Sequence, residues 1–129
     1  MVVNKKTKNE VIVLLIIPLS IFFILAYKQK VDIIFFMNPS CRISNQTGPI
    51  IQEIKEKFGN NINLREIKVN MYFTDPPDTE EIKILREKYK VYGVPTIVIN
   101  GKEFTKEYTK DNLEEGICNS FIIKPKVCR

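Results

Sequence analysis

Three cysteines and no histidine limit the chemistry open to this chain. A structural zinc site wants four Cys or His donors, so no metal is expected and the thiols are read as redox or structural groups. An odd number lets one pair close and leaves one thiol over. Cys41 is the candidate for the unpaired one, with Cys118 and Cys128 near enough in the chain to close on each other, and it stands where a helix is expected to begin. At that position free N–H groups and the positive end of the helix dipole favour a thiolate, and the neighbouring Arg42 should lower its pKa further. A competing reading makes Cys41 an inert buried thiol. Cys118 and Cys128 flank Pro125, and in an oxidising compartment they would close a small loop that pins the C-terminal tail. The sharper alternative is a relay in which one of them resolves a disulfide on Cys41, and it requires the tail to fold back over the helix that Cys41 opens.

The elements that must position Cys41 are legible in outline. Residues 31–36 (VDIIFF) are β-branched and aromatic, and they predict a buried strand that stops at Asn38-Pro39. Ile50, Ile51, Ile54 and Phe58 fall at helical spacing, so a helix is predicted over 41–58, closed by Gly59-Asn60-Asn61 and kinked by Pro49. Residues 62–70 alternate Ile62 and Leu64, then slip phase before Ile67 and Val69, which predicts a second strand with either an unsettled phase or a bulge in its middle. Asp75-Pro76-Pro77-Asp78 marks 71–79 as a loop. Thr79 can cap a helix over 80–90 that turns Ile82, Leu85 and Tyr89 inward. Residues 96–99 (TIVI) form a third strand, and Asn100-Gly101 signals a hairpin to a fourth over 103–108. Thr109 or Asp111 starts a last helix that runs to about Phe121. This order of elements predicts an α/β domain with a central mixed sheet covered by helices on both faces.

The N-terminal end differs in kind. Residues 11–27 (VIVLLIIPLSIFFILAY) carry no charge and are apolar on every helical face, so they span about 25 Å and predict a transmembrane helix rather than a core helix. Ile24-Leu25-Ala26 lacks the small residues of a cleavage site, which favours a retained signal anchor over a cleaved signal. Lys5, Lys6 and Lys8 with the α-amine outweigh Lys28 and Lys30, placing the N-terminus in the cytoplasm and the domain outside. The expected layout is a cytoplasmic tail at 1–10, an anchor at 11–28 and a domain at 31–129, in a single-pass protein of the cell membrane. Of the net charge of +5, residues 1–30 hold +4, from five lysines against Glu10, and the domain keeps +1. A nearly neutral domain argues against a nucleic-acid partner. Its five glycines are scattered at turns with no phosphate-cradling loop, so no cofactor is implied.

Strand, Cys41-Arg42-Ile43-Ser44 opening a helix, Pro49, Tyr92-Gly93-Val94-Pro95-Thr96 before a strand, and Asn100-Gly101-Lys102 together resemble the thioredoxin family over almost all of residues 31–121. The resemblance implies a thioredoxin-like three-layer sandwich with a central mixed sheet, here preceded by one transmembrane helix. It also implies that Cys41 is the nucleophile, and that Pro95 is cis and faces it instead of being an ordinary strand-start proline. Val94 backbone groups would then be free to pair with an extended substrate. Two departures stand out. Ser44 occupies the place of the family's second cysteine, and a hydroxyl cannot resolve a mixed disulfide at neutral pH. Phe35 stands where a buried acid is often found six residues before the nucleophile, which puts proton handling in doubt. The implied function is monothiol thiol-disulfide exchange on extracytoplasmic protein thiols or disulfides, with a resolving thiol from the client, a small thiol or a partner protein. The alternative is a redox-inactive binding or scaffolding module that keeps the groove.

Overall fold

The computed structural model describes residues 5–27 and 29–129. Residues 1–4 of the expected tail and Lys28 at the end of the expected anchor lie outside the described residues. The first helix, α1, spans Lys5–Tyr27 with Pro18 inside it. Its large apolar residues from Val11 to Leu25 are exposed on all sides, from 46% at Ile12 to 71% at Leu14, so the described side chains of this helix bury no face against the domain. Its described side chains cover residues 10–25, about 24 Å at 1.5 Å per residue. Among the described residues no helix is long and apolar enough to cross a membrane.

The domain is built on four strands in the order β2-β1-β3-β4: β1 (Val31–Met37), β2 (Ile62–Lys68), β3 (Thr96–Ile99) and β4 (Lys102–Glu103). β1 pairs with β2 in parallel and with β3 antiparallel, so the sheet is mixed. Three helices cover it, α2 (Arg42–Phe58), α3 (Glu80–Lys88) and α4 (Lys110–Asn119). On one face Val31, Ile33 and Phe35 of β1 meet Ile51, Ile54 and Phe58 of α2 and Leu113 and Ile117 of α4. On the other face Ile34, Phe36 and Val98 meet Ile82, Leu85 and Tyr89 of α3 and the segment that follows it. β1 is buried at every residue except Asp32 and the half-buried Met37, because helices lie above and below it.

The phase slip in β2 is a change of face and not the alternative bulge, since its pairing with β1 runs without interruption from Val31 opposite Ile62 to Met37 opposite Lys68. Instead Ile62 and Leu64 serve the α2/α4 face, and Ile67 and Val69 serve the α3 face. The fourth strand is two residues long rather than six. The Phe104 N–H still donates to the Ile97 carbonyl of β3 at 2.8 Å, and beyond it the chain leaves the ladder where Phe104 and Tyr108 stack on each other and pack against the core near α4. The tight turn before it is as the sequence indicates, with Asn100 at φ 47° and Gly101 at φ 79°.

Candidate functional site

β1 delivers the chain into the site. Asn38, the first residue after it, is 2% exposed, and its backbone carbonyl accepts the Cys41 N–H at 3.0 Å while its side-chain Oδ1 accepts the Ser40 N–H at 2.8 Å. The same side chain donates from Nδ2 to the Val69 carbonyl and to Asp75 Oδ2, both at 2.8 Å. The turn that aims Cys41 is therefore fastened to the end of β2 and to the loop beyond it. Pro39 suits this turn because its φ is already set.

Cys41 is the N-cap of α2, with extended backbone angles, and the Asn45 N–H makes the first helical bond to its carbonyl at 3.0 Å. It is the free cysteine and is partly exposed. The neutral thiol lies 3.8 Å from the Val94 carbonyl oxygen as a donor. Once ionised it faces donors instead. The Ser44 N–H, then the Ser44 hydroxyl, and more weakly the Ile43 N–H hold the thiol pKa below its ordinary value against the opposing effect of burial. These local groups do the work expected of Arg42, whose side chain points to solvent.

Ser44 is fully buried, and its Oγ accepts the Asn38 N–H at 3.3 Å. A hydroxyl has one proton, and that acceptor role leaves the proton free to point at sulfur. The Val94-Pro95 peptide is cis. The loop bearing it is held from both sides, by Thr96 Oγ1 donating to the Gly93 carbonyl at 2.8 Å and by the Tyr108 hydroxyl donating to the Pro95 carbonyl at 3.3 Å. Burial raises the Tyr108 pKa, which keeps the phenol a donor. Exposed Ile43 and Tyr92 flank these two loops in the chain.

The structure thus brings Cys41, Ser44, Val94 and Pro95 together. Phe35 is 1% exposed within the α2/α4 face, so an aromatic ring fills the position six residues before Cys41. Cys118 and Cys128 are bonded to each other, with Cα atoms 5.6 Å apart, which leaves neither as a free thiol. Among the described residues no group of three or more His, Cys, Asp or Glu could hold a metal ion.

Sequence reasoning missed Asn38, Asp75, Thr96 and Tyr108. Asp75 Oδ2 accepts the Met71 and Tyr72 N–H groups, each at 3.0 Å, as well as the Asn38 amide. The Met71 N–H is the main cause of its lowered pKa, with Asn38 and Tyr72 adding to it and burial opposing. The Asp-Pro and Asn-Pro pairs were available as signals, since both are turn formers whose side chains bond nearby backbone.

A mixed four-stranded sheet between helices, with a cysteine at the start of the helix that follows the first strand, defines the thioredoxin-like fold. Solved structures share it. A thioredoxin mutant from Halobacterium salinarum superposes with a TM-score of 0.53 at 20% identity, covering 75% of this chain and 80% of its own. The oxidised thioredoxin of Plasmodium falciparum gives 0.51 at 16% identity, covering 79% and 91%. The first two thioredoxin domains of Naumovozyma dairenensis Eps1p give 0.54 at 18% identity, covering 74% of this chain and 36% of that one. No protein-family model matches the chain, and no curated protein matches it in sequence.

Proposed function

We propose that this chain is a membrane-anchored monothiol protein that exchanges disulfides with protein substrates outside the cytoplasm. The observation that carries the proposal is a free, partly exposed thiol at a helix N-cap, with the Ser44 N–H, Ser44 hydroxyl and Ile43 N–H aimed to stabilise its thiolate. In the forward step the Cys41 thiolate attacks one sulfur of a client disulfide. A Cys41–client disulfide forms, the client bond breaks, and the second client sulfur leaves as a thiolate. Ser44 cannot reverse this. A client thiol or a small external thiol then attacks the mixed disulfide, forms a new disulfide and releases the Cys41 thiolate. When the client's own thiol attacks, no net electrons move and the outcome is isomerisation. Val94 and Pro95 shape the place where the client chain lies beside the sulfur.

The anchor rests on α1 and on its sequence. The uncharged run extends through Tyr27, two residues past the described side chains, and reaches about 25 Å with lysines on both flanks. The Cys118–Cys128 bond supports an oxidising compartment.

A second reading is a binding module without redox turnover, favoured by Ser44 in place of a second thiol and by the mutual bonding of the other two cysteines. Two measurements decide. The pH dependence of Cys41 alkylation in the full chain should have its midpoint below that of free cysteine, and a midpoint at or above it removes the activated nucleophile. Cys41→Ala should abolish covalent client capture. Survival of client binding and cellular phenotype in that variant would favour the groove over the sulfur.

A further inference from the structure

We propose that the C-terminal tail, residues 122–129, docks on the headgroup layer of an anionic phospholipid bilayer beside the end of α1. The inference rests on the reading of α1 as a membrane anchor. The tail is tied to that end of the molecule, because the Ile122 N–H donates to Gln29 Oε1 at 2.9 Å and Gln29 lies two residues after the last residue of α1. Gln29 also lines one groove with Ile123, Lys124, Lys126 and Arg129.

The tail has the chemistry of an interface. Ile122 and Ile123 are 64% and 39% exposed, and Lys124, Lys126 and Arg129 are all exposed. No Asp or Glu follows Glu115 in the sequence. Among the described residues no carboxylate pairs with the three cations, although Lys124 Nζ donates to Asn119 Oδ1 at 3.3 Å. Exposed Lys30 adds to the same end. Two apolar side chains beside three cations match a bilayer surface, which offers acyl carbon under phosphate, better than a nucleic acid. The Cys118–Cys128 bond closes the segment into a loop, so less ordering remains to be done on contact.

Docking would set the direction in which the reactive thiol faces. β1 starts at Val31, beside the tail, and delivers the chain to Cys41 at its far end. Its seven residues at about 3.3 Å each separate Cys41 from the tail by on the order of 20 Å along the strand, so the docked tail and the thiol stand at opposite ends of β1.

The chain has no tryptophan, so single introduced ones report depth. Full-length Ile123→Trp and, separately, Phe22→Trp are reconstituted in vesicles of phosphatidylcholine alone or mixed with phosphatidylglycerol, with bromine carried shallow or deep in the acyl chains. Phe22→Trp should be quenched by deep bromine in both lipids. Ile123→Trp should be quenched by shallow bromine, more strongly with phosphatidylglycerol and less at high salt. Adding Lys124→Gln, Lys126→Gln and Arg129→Gln should lower the docked fraction relative to undocked by about fivefold per cation, on the order of a hundredfold together. Unchanged Cys41 alkylation in that variant verifies its fold. Deep quenching of Phe22→Trp with none of Ile123→Trp overturns the tail proposal and leaves the anchor standing. Absence of quenching in Phe22→Trp overturns the anchor and the tail with it. Quenching of Ile123→Trp that ignores lipid charge and the three substitutions overturns headgroup recognition.

Discussion

Replacing Ser44 by alanine tests whether the second position of the site is a thiolate donor or mere packing. The substitution removes the hydroxyl aimed at sulfur and keeps the Ser44 backbone N–H, the largest of the three causes of the lowered Cys41 pKa, and the Ile43 N–H. A hydrogen bond to a charged group contributes about 1.5–3 kcal/mol, and solvent access to the partly exposed sulfur reduces this to about 1 kcal/mol. The thiolate-to-thiol ratio at a given pH should therefore fall about fivefold. Thiolate absorbance in the ultraviolet, followed against pH with Cys118 and Cys128 still bonded, reads Cys41 alone. Alkylation is a poorer gauge, because a more basic thiolate is a better nucleophile and the observed rate drops only about twofold. The Asn38 N–H, buried and 3.3 Å from Ser44 Oγ, loses its acceptor at the same time, which costs about 1–3 kcal/mol of stability. Both effects should appear together. An unmoved titration midpoint accompanied by the stability loss would refute the donor role and leave Ser44 as a structural partner of Asn38.

Asp75 has a folded-state pKa below its ordinary value, so its contribution to stability is present above about pH 4 and is lost as pH falls through the folded value. Asp75→Asn should flatten acid denaturation in that window and destabilise the protein at neutral pH, as urea titrations at several pH values would show. Replacing Cys118 and Cys128 together by alanine reopens a loop of sequence separation 10 and should cost about 2.5–3 kcal/mol, read from the shift in the urea midpoint. Cys41 alkylation should be unaffected by that change, and a marked change would revive the relay between the tail and the site. Gly116→Ala puts a methyl 2.7 Å from the Phe104 ring, so it should destabilise by about 1–3 kcal/mol despite the better helix propensity of alanine. Phe104→Leu in the same chain should recover part of the loss.

The order of elements and their caps were legible because each rests on local chemistry. Thr79 and Thr109 each accept an N–H three residues on, as threonine before a helical pattern should. The phase slip in β2 was also visible, but a single strand cannot report whether the cause is an extra residue or a second buried face. That distinction lies in α3, which covers Ile67 and Val69 from the other side. The fourth strand was overextended for a related reason, since nothing local marks the point where the chain leaves the ladder after Phe104, whose ring meets Gly116 in α4.

The site divides along the same line. Cys41, Ser44 and the Val94-Pro95 pair carry their signal in short motifs, because helix caps and proline turns act within a few residues. Asn38 and Asp75 do so only in part, since beside their local partners Asn38 reaches the Val69 carbonyl and Asp75 itself, 31 and 37 residues away along the chain. Yet those two side chains decide where the sulfur points. Asn38 closes the turn before Cys41 and bonds Asp75, which in turn gathers the Met71 and Tyr72 N–H groups, so the thiol is aimed by a chain of contacts reaching the loop beyond β2. Asn38→Ala removes the first link and leaves Ser44, Ile43 and the cap untouched. If aiming matters, it should slow Cys41 attack on a bulky protein disulfide more than attack on a small aromatic disulfide, which approaches from any side. Equal slowing of both would mean that Asn38 acts through the thiolate population alone, and that the loop beyond β2 has no part in orienting the sulfur.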